Sequence, residues 1–72
     1  MERYRNRAGD SGVSAYEIGN DYIKVRFSSS FRTYTYSYRK AGNSHVENMK
    51  RLAQSGSGLN SYINRYVKHL YD

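Results

Sequence analysis

The sequence has no cysteine and no tryptophan among its 72 residues. Without cysteine there is no disulfide staple, no thiolate metal site and no cysteine nucleophile. That absence fits a reducing compartment, so a cytoplasmic protein is the expectation. No apolar run approaches the roughly 20 residues of a membrane span, and no apolar h-region follows Met1. Neither a membrane segment nor a signal peptide is therefore expected. Acidic residues are scarce, with six Asp and Glu against twelve Lys and Arg. There is no linker rich in Pro, Gly or Ser and no internal repeat. A chain of 72 residues suits one domain, near the lower limit for a self-sufficient core.

What the chain does carry is positive charge and tyrosine. The net charge is +6 and the pI about 9.8. On so short a chain that field favours anionic partners: nucleic acid first, an acidic protein surface second, anionic lipid third. Nine Tyr accompany two Phe. Tyrosine fills core borders while its hydroxyl reaches water, and it also stacks on unpaired bases. Composition leaves both uses open.

The patterning predicts a strand-rich first half and a helical second half. Residues 1–10 (MERYRNRAGD) carry Arg3, Arg5 and Arg7 with only Tyr4 as an anchor, which predicts a flexible basic arm. Such an arm is either a phosphate-contacting element or a solvated tail. Val13 to Ile18 reads as a first strand, closed by a Gly19-Asn20-Asp21 turn whose residues tolerate positive φ. Tyr22 to Phe27 is a half-buried strand, with Ile23, Val25 and Phe27 on one face and Lys24 and Arg26 on the other.

The stretch Phe31 to Tyr38 alternates with a period of two and forms the third strand. Loop parity decides where its tyrosines point. An even loop, such as Ser29 to Arg32, sets Phe27 against Tyr34, Val25 against Tyr36 and Ile23 against Tyr38, lining the core. An odd loop exposes Tyr34, Tyr36 and Tyr38 beside Lys24 and Arg26, as a base-stacking platform. The even loop is the expectation, because the odd one leaves Thr33, Thr35 and Ser37 to receive the helices.

Ser44 and Glu47 have capping-box spacing at the head of a short helix that Ser55-Gly56 ends. Ser57 caps a second helix, in which Leu59, Tyr62, Ile63, Tyr66, Val67 and Leu70 form one apolar face. Lys68 and His69 complement the dipole at its end. The predicted fold is a single α+β domain over residues 11–72: a three-stranded antiparallel meander followed by two helices packed on one face (βββαα).

In order and spacing these residues resemble the KTSC domain, found at the C-terminus of some lysyl-tRNA synthetases and as stand-alone bacterial proteins. Ile23-Lys24-Val25-Arg26-Phe27 fits its φ-x-V-x-F strand, and Tyr34-Thr35-Tyr36 its central Y-x-Y. Ala53-Gln54-Ser55 and Gly56-Ser57-Gly58-Leu59-Asn60 fit its A-x-S and G-S-x-φ-N segments. The similarity spans roughly Val13 to Tyr66. It departs in a longer segment between Phe27 and Tyr34, in Gly58 where an aromatic is usual, and in a shorter spacing between Ser55 and Gly56. The resemblance implies an RNA-binding role.

Candidate catalytic chemistry is thin. His45 and His69 are far apart, no His or carboxylate cluster has metal spacing, and no cofactor is implied. Gly56-Ser57-Gly58 before a helix is a faint anion-site signal, for which a plain helix–helix turn is the simpler reading. The expectation is a non-catalytic nucleic-acid binder, RNA ahead of DNA. Lys24, Arg26, Arg32, Arg39 and Lys40 would contact phosphates, helped by Arg3, Arg5 and Arg7, with Tyr34 and Tyr36 stacking bases if exposed. The alternative is a small adaptor or inhibitor, phage- or mobile-element-borne, docking an acidic protein as a monomer or homodimer.

Overall fold

Ile23 and Val25, both fully buried, sit at the centre of an antiparallel sheet and fix which side of it is covered. The computed structural model describes residues 1–7, 12–29 and 32–72. The fold is α+β. Its sheet contains β1 (Glu2–Arg3), β2 (Val13–Ile18), β3 (Tyr22–Phe27) and β4 (Thr33–Ser37), in that spatial order. The sheet thus has four strands, where three were expected.

The extra strand comes from the segment read as an arm. Glu2 pairs with Tyr16 and Arg3 with Ala15, and the Tyr4 amide donates to the Ser14 carbonyl at 3.0 Å. Tyr4 itself is buried. One large apolar side chain among arginines is enough to dock the segment, since Tyr4 fills the space over the first turn of the second helix. Ala8, Gly9 and Asp10 of that expected arm lie outside the described residues.

In β2, Val13 and Tyr16 are both buried although an odd spacing of three separates them. A regular strand would turn them to opposite faces. The ladder shifts between Val13, opposite Phe27, and Ala15, opposite Arg26. This bulge at Ser14 adds one residue and returns Val13 to the core side. The β2–β3 hairpin closes without a positive φ at Gly19, Asn20 or Asp21, contrary to the expected turn. Gly19 serves by lacking a side chain, since the Tyr22 ring occupies the space a Cβ would need.

Between β3 and β4 the parity is the expected even one, with the pairs displaced by two residues. Val25 lies opposite Tyr34, Ile23 opposite Tyr36 and Arg26 opposite Thr33. The tyrosines therefore share the core face with Ile23 and Val25, and the exposed-platform alternative does not hold. Tyr36 is 1% exposed, while Tyr34 and Tyr38 are half-buried. Phe31, expected in this strand, lies outside the described residues.

Helix α1 (Asn43–Ser55) buries Val46, Met49 and Ala53 against the sheet. It starts after Gly42 with no side-chain cap, so the Ser44–Glu47 capping box is not formed. Glu47 is engaged elsewhere: Lys50 Nζ lies 2.8 Å from its carboxylate and the Tyr38 hydroxyl donates to it. The Gly56 cap at φ 79° ends the helix as expected.

The second helix is shorter and wider than predicted. Helix α2 (Leu59–Tyr62) follows Gly58 rather than a Ser57 cap, then opens into a π-helical segment over Ile63–Val67. Leu59, Ile63 and Val67 are all buried. Steps of four overshoot a 3.6-residue turn by about 40° each, so in a plain α-helix the three would fan over about 80° of one apolar face. The i→i+5 bonding of the π segment widens the turn and narrows that fan. Tyr66, expected on that apolar face, is instead 52% exposed.

Candidate nucleic-acid interface

Because Ile23, Val25, Tyr34 and Tyr36 turn inward, the alternate residues of the same strands form an outward face. On β3 these are Tyr22, Lys24 and Arg26, and on β4 they are Thr33, Thr35 and Ser37. Lys24 lies opposite Glu17 and Thr35, and Arg26 opposite Ala15 and Thr33. Arg3, opposite Ala15, adds a third cation from β1. Two-residue steps along a strand separate Lys24 from Arg26 by roughly 7 Å. Three cations and a row of hydroxyls thus lie on one flat surface, fixed by a central strand whose inner Ile23 and Val25 are fully buried.

Glu17 is the single carboxylate among the strand residues of this face. It lies 4.0 Å from Lys24 Nζ and accepts from the Tyr22 hydroxyl at 3.3 Å. The ammonium also sits 5.7 Å from the Tyr22 ring centroid. Such half-exposed pairs contribute about 0–1 kcal/mol, so they orient Lys24 without consuming its charge. At the β4 edge Ser37 Oγ donates to the Asp72 carboxylate at 2.7 Å, and the Asp72 amide donates to the Thr35 carbonyl at 2.8 Å. This contact blunts part of the exposed strand edge.

The other expected contacts are dispersed. Arg32 is exposed just before β4, and Arg39 and Lys40 are exposed in the turn after it. Arg5 and Arg7 run to the α1–α2 turn, where the Arg7 amide donates to the Gly56 carbonyl at 2.7 Å. They are exposed but stand apart from Lys24 and Arg26. Tyr34 and Tyr36 line the inner face and offer no stacking surface beside the cations. The Gly56–Gly58 turn is a helix–helix connection whose Leu59 amide already donates to the Tyr4 hydroxyl at 3.3 Å.

A polar-aromatic cluster on the helices was not evident in the sequence. His45 Nδ1 is 2.7 Å from the Tyr62 hydroxyl, which also accepts from Asn48 Nδ2 at 3.2 Å. The His45 ring stacks on Tyr66 with centroids 5.9 Å apart. The available signal was His45 and Asn48 at i, i+3 on the polar side of α1, facing two tyrosines spaced by four.

Several ionisations are displaced. Burial pushes the Tyr36 hydroxyl up to about 12, with Tyr34 and Tyr71 adding to the effect. Burial also raises Tyr16. Hydrogen bonds from Lys50 and then Tyr38 hold the Glu47 carboxyl below its usual range. These groups support the fold and lie off the basic face. Among the described residues no three His, Asp or Glu side chains gather as a metal site, and no helix is long and apolar enough to cross a membrane. Comparison with protein-family models, with curated proteins and with solved structures finds no match in any of the three.

Proposed function

We propose that this chain is a non-catalytic nucleic-acid-binding module of the cytoplasm, similar to the KTSC domain, with RNA favoured over DNA. The observation that carries the reading is the outward sheet face. Arg3 of β1 and Lys24 and Arg26 of β3 project from it beside Thr33, Thr35 and Ser37 of β4, with Glu17 as the sole carboxylate among the strand residues of that face. Cations and hydroxyls on a flat surface suit phosphate and sugar contacts, which position a strand without reading its sequence. Arg32, Arg39 and Lys40 extend the field beyond the ends of β4, and the +6 charge steers polyanions toward it. Arg5 and Arg7 contribute to the long-range field more than to this face.

The test is a salt titration of binding to single-stranded RNA, single-stranded DNA and duplex. Affinity is expected to fall log-linearly with salt, by a slope of about 0.7 per phosphate neutralised on a single strand. The double substitution Lys24→Glu with Arg26→Glu is expected to lower affinity about tenfold or more. Unchanged affinity in that variant overturns the surface assignment. A stable complex with an acidic protein, insensitive to salt, would replace nucleic acid as the partner.

A further inference from the structure

Where the inner face of β3 and β4 meets the end of the π-helical segment, the structure has an open groove of about 320 Å³. Its wall is aromatic, made by Phe27, Tyr34, Tyr36 and Tyr71. The rings meet edge to face, with centroids 5.6 Å apart for Phe27 and Tyr34, 4.8 Å for Tyr34 and Tyr71, and 6.4 Å for Tyr36 and Tyr71. Tyr71 is the outermost ring, 40% exposed. Lys68, His69 and Asn64 supply the polar rim and are all exposed. No described residue lining the groove is acidic. The neighbouring Asp72 carboxylate is engaged by Ser37 Oγ, and its amide is bound to β4, which anchors the Tyr71 backbone.

We propose that this groove takes one unstacked base of a single-stranded RNA, stacked on Tyr71, with the adjoining phosphate on Lys68. The proposal rests on the nucleic-acid reading above and gives that reading a base-contacting site. Size supports it: ligand pockets span about 300–1,000 Å³, and this one sits at the small end, fit for one flat ring system. The chemistry supports it too, since an aromatic wall binds any base through its π-face and the cationic rim suits phosphate. Continuity is the third argument. The β4 strand separates the groove from the basic face, and Asp72 covers its edge at Thr35 and Ser37, so a chain crossing Arg26 and Thr33 can turn one base around the edge at the Thr33 end. Duplexes keep their bases stacked and are excluded from this contact.

The experiment compares wild type, Tyr71→Ala and Tyr71→Trp on a short single-stranded RNA and on a duplex RNA of equal length. Tyr71→Ala is expected to lower single-strand affinity about tenfold and leave duplex affinity unchanged, while Tyr71→Trp keeps wild-type affinity. Lys68→Gln is expected to reduce the single-strand salt slope by about 0.7. Aromatic NMR signals of Phe27, Tyr34 and Tyr71 in the wild-type protein are expected to move on RNA addition, a readout that needs no variant to fold. Wild-type protein that binds single-stranded RNA with those signals unmoved, or with Tyr71→Ala indistinguishable from it, overturns the groove and leaves the basic face standing. Wild-type protein with no affinity for single strands at low salt overturns both.

Discussion

The Tyr4 hydroxyl accepts the Leu59 backbone N–H at 3.3 Å, joining the first strand to the start of the second helix across 55 positions of sequence. The first N–H groups of a helix have no partner within it, so the phenol satisfies a donor that would otherwise be orphaned in the core. Tyr4→Phe is expected to cost about 1 kcal/mol, the net worth of a buried hydrogen bond. Tyr4→Ala is expected to cost about 3–5 kcal/mol, because it also opens a cavity. Urea unfolding measures both, and a loss below about 0.5 kcal/mol for the alanine variant would mean that the segment is undocked.

The Gly56 turn is under a different constraint. Gly56 and Gly58 adopt φ of 79° and 85°, where any L-residue is strained. A Cβ on Gly58 would meet Leu52 Cδ2 at an ordinary 3.5 Å, whereas one on Gly56 would lie 2.6 Å from Arg5 Cβ. Arg5 Cβ is fixed by the backbone, so relief requires the first segment to shift. Gly58→Ala is expected to cost about 1–2 kcal/mol from backbone strain. Gly56→Ala is expected to cost about 1–3 kcal/mol more through overpacking. Equal losses in thermal unfolding would remove the steric argument.

These two contacts mark where the sequence was least legible. The period-two alternation of Tyr22 to Phe27 and the glycine after Ser55 defined β3 and the end of α1, since each is a local signal. Even parity between β3 and β4 was legible because two helices need an apolar face to cover. The two-residue displacement was not, since a loop of either length preserves that parity. Tyr4 was legible as the only anchor of its segment, but its docking was not, because a lone aromatic among arginines has no periodicity and its partner lies far along the chain. The bulge at Ser14 and the π segment escaped for a shared reason. Both are small departures from a regular repeat that no local residue pattern marks, and only the packed core reveals where they fall. The basic face followed from the parity of Lys24 and Arg26, whereas Arg5 and Arg7 were drawn away from it by the docking of Tyr4.

Alkaline pH should unfold the protein earlier than a chain of exposed tyrosines would predict. Tyr36 ionises near pH 12 in the folded state, against 10 for an unburied tyrosine. A raised folded pKa means that the native state holds the proton more tightly. Its contribution is fully present below about pH 10 and lost as the pH rises toward 12. At about 1.4 kcal/mol per pH unit, the loss across that window is roughly 2–3 kcal/mol. Tyr16, raised chiefly by burial, acts in the same direction. Tyrosinate absorbance and circular dichroism followed together are expected to show a late ionisation coincident with unfolding. Tyr36→Phe, which cannot ionise, is expected to move the alkaline midpoint upward, and an unchanged midpoint would exonerate Tyr36.

Glu17 offers a test in which affinity should rise. Its carboxylate faces Lys24 at 4.0 Å on the surface proposed to meet phosphates, and it is the one negative strand residue there. Replacing it by glutamine removes a charge that repels the polyanion and releases Lys24 from its partner. Exposed pairs of this kind contribute about 0–1 kcal/mol, so Glu17→Gln should leave stability nearly unchanged. Affinity for single-stranded RNA at low salt is expected to rise about two- to fivefold, with a steeper salt dependence. At high salt the gain should vanish, because screening weakens repulsion and attraction alike. An affinity that falls instead would mean that Glu17 itself contacts the partner, as a carboxylate does when the surface docks a protein with basic groups of its own.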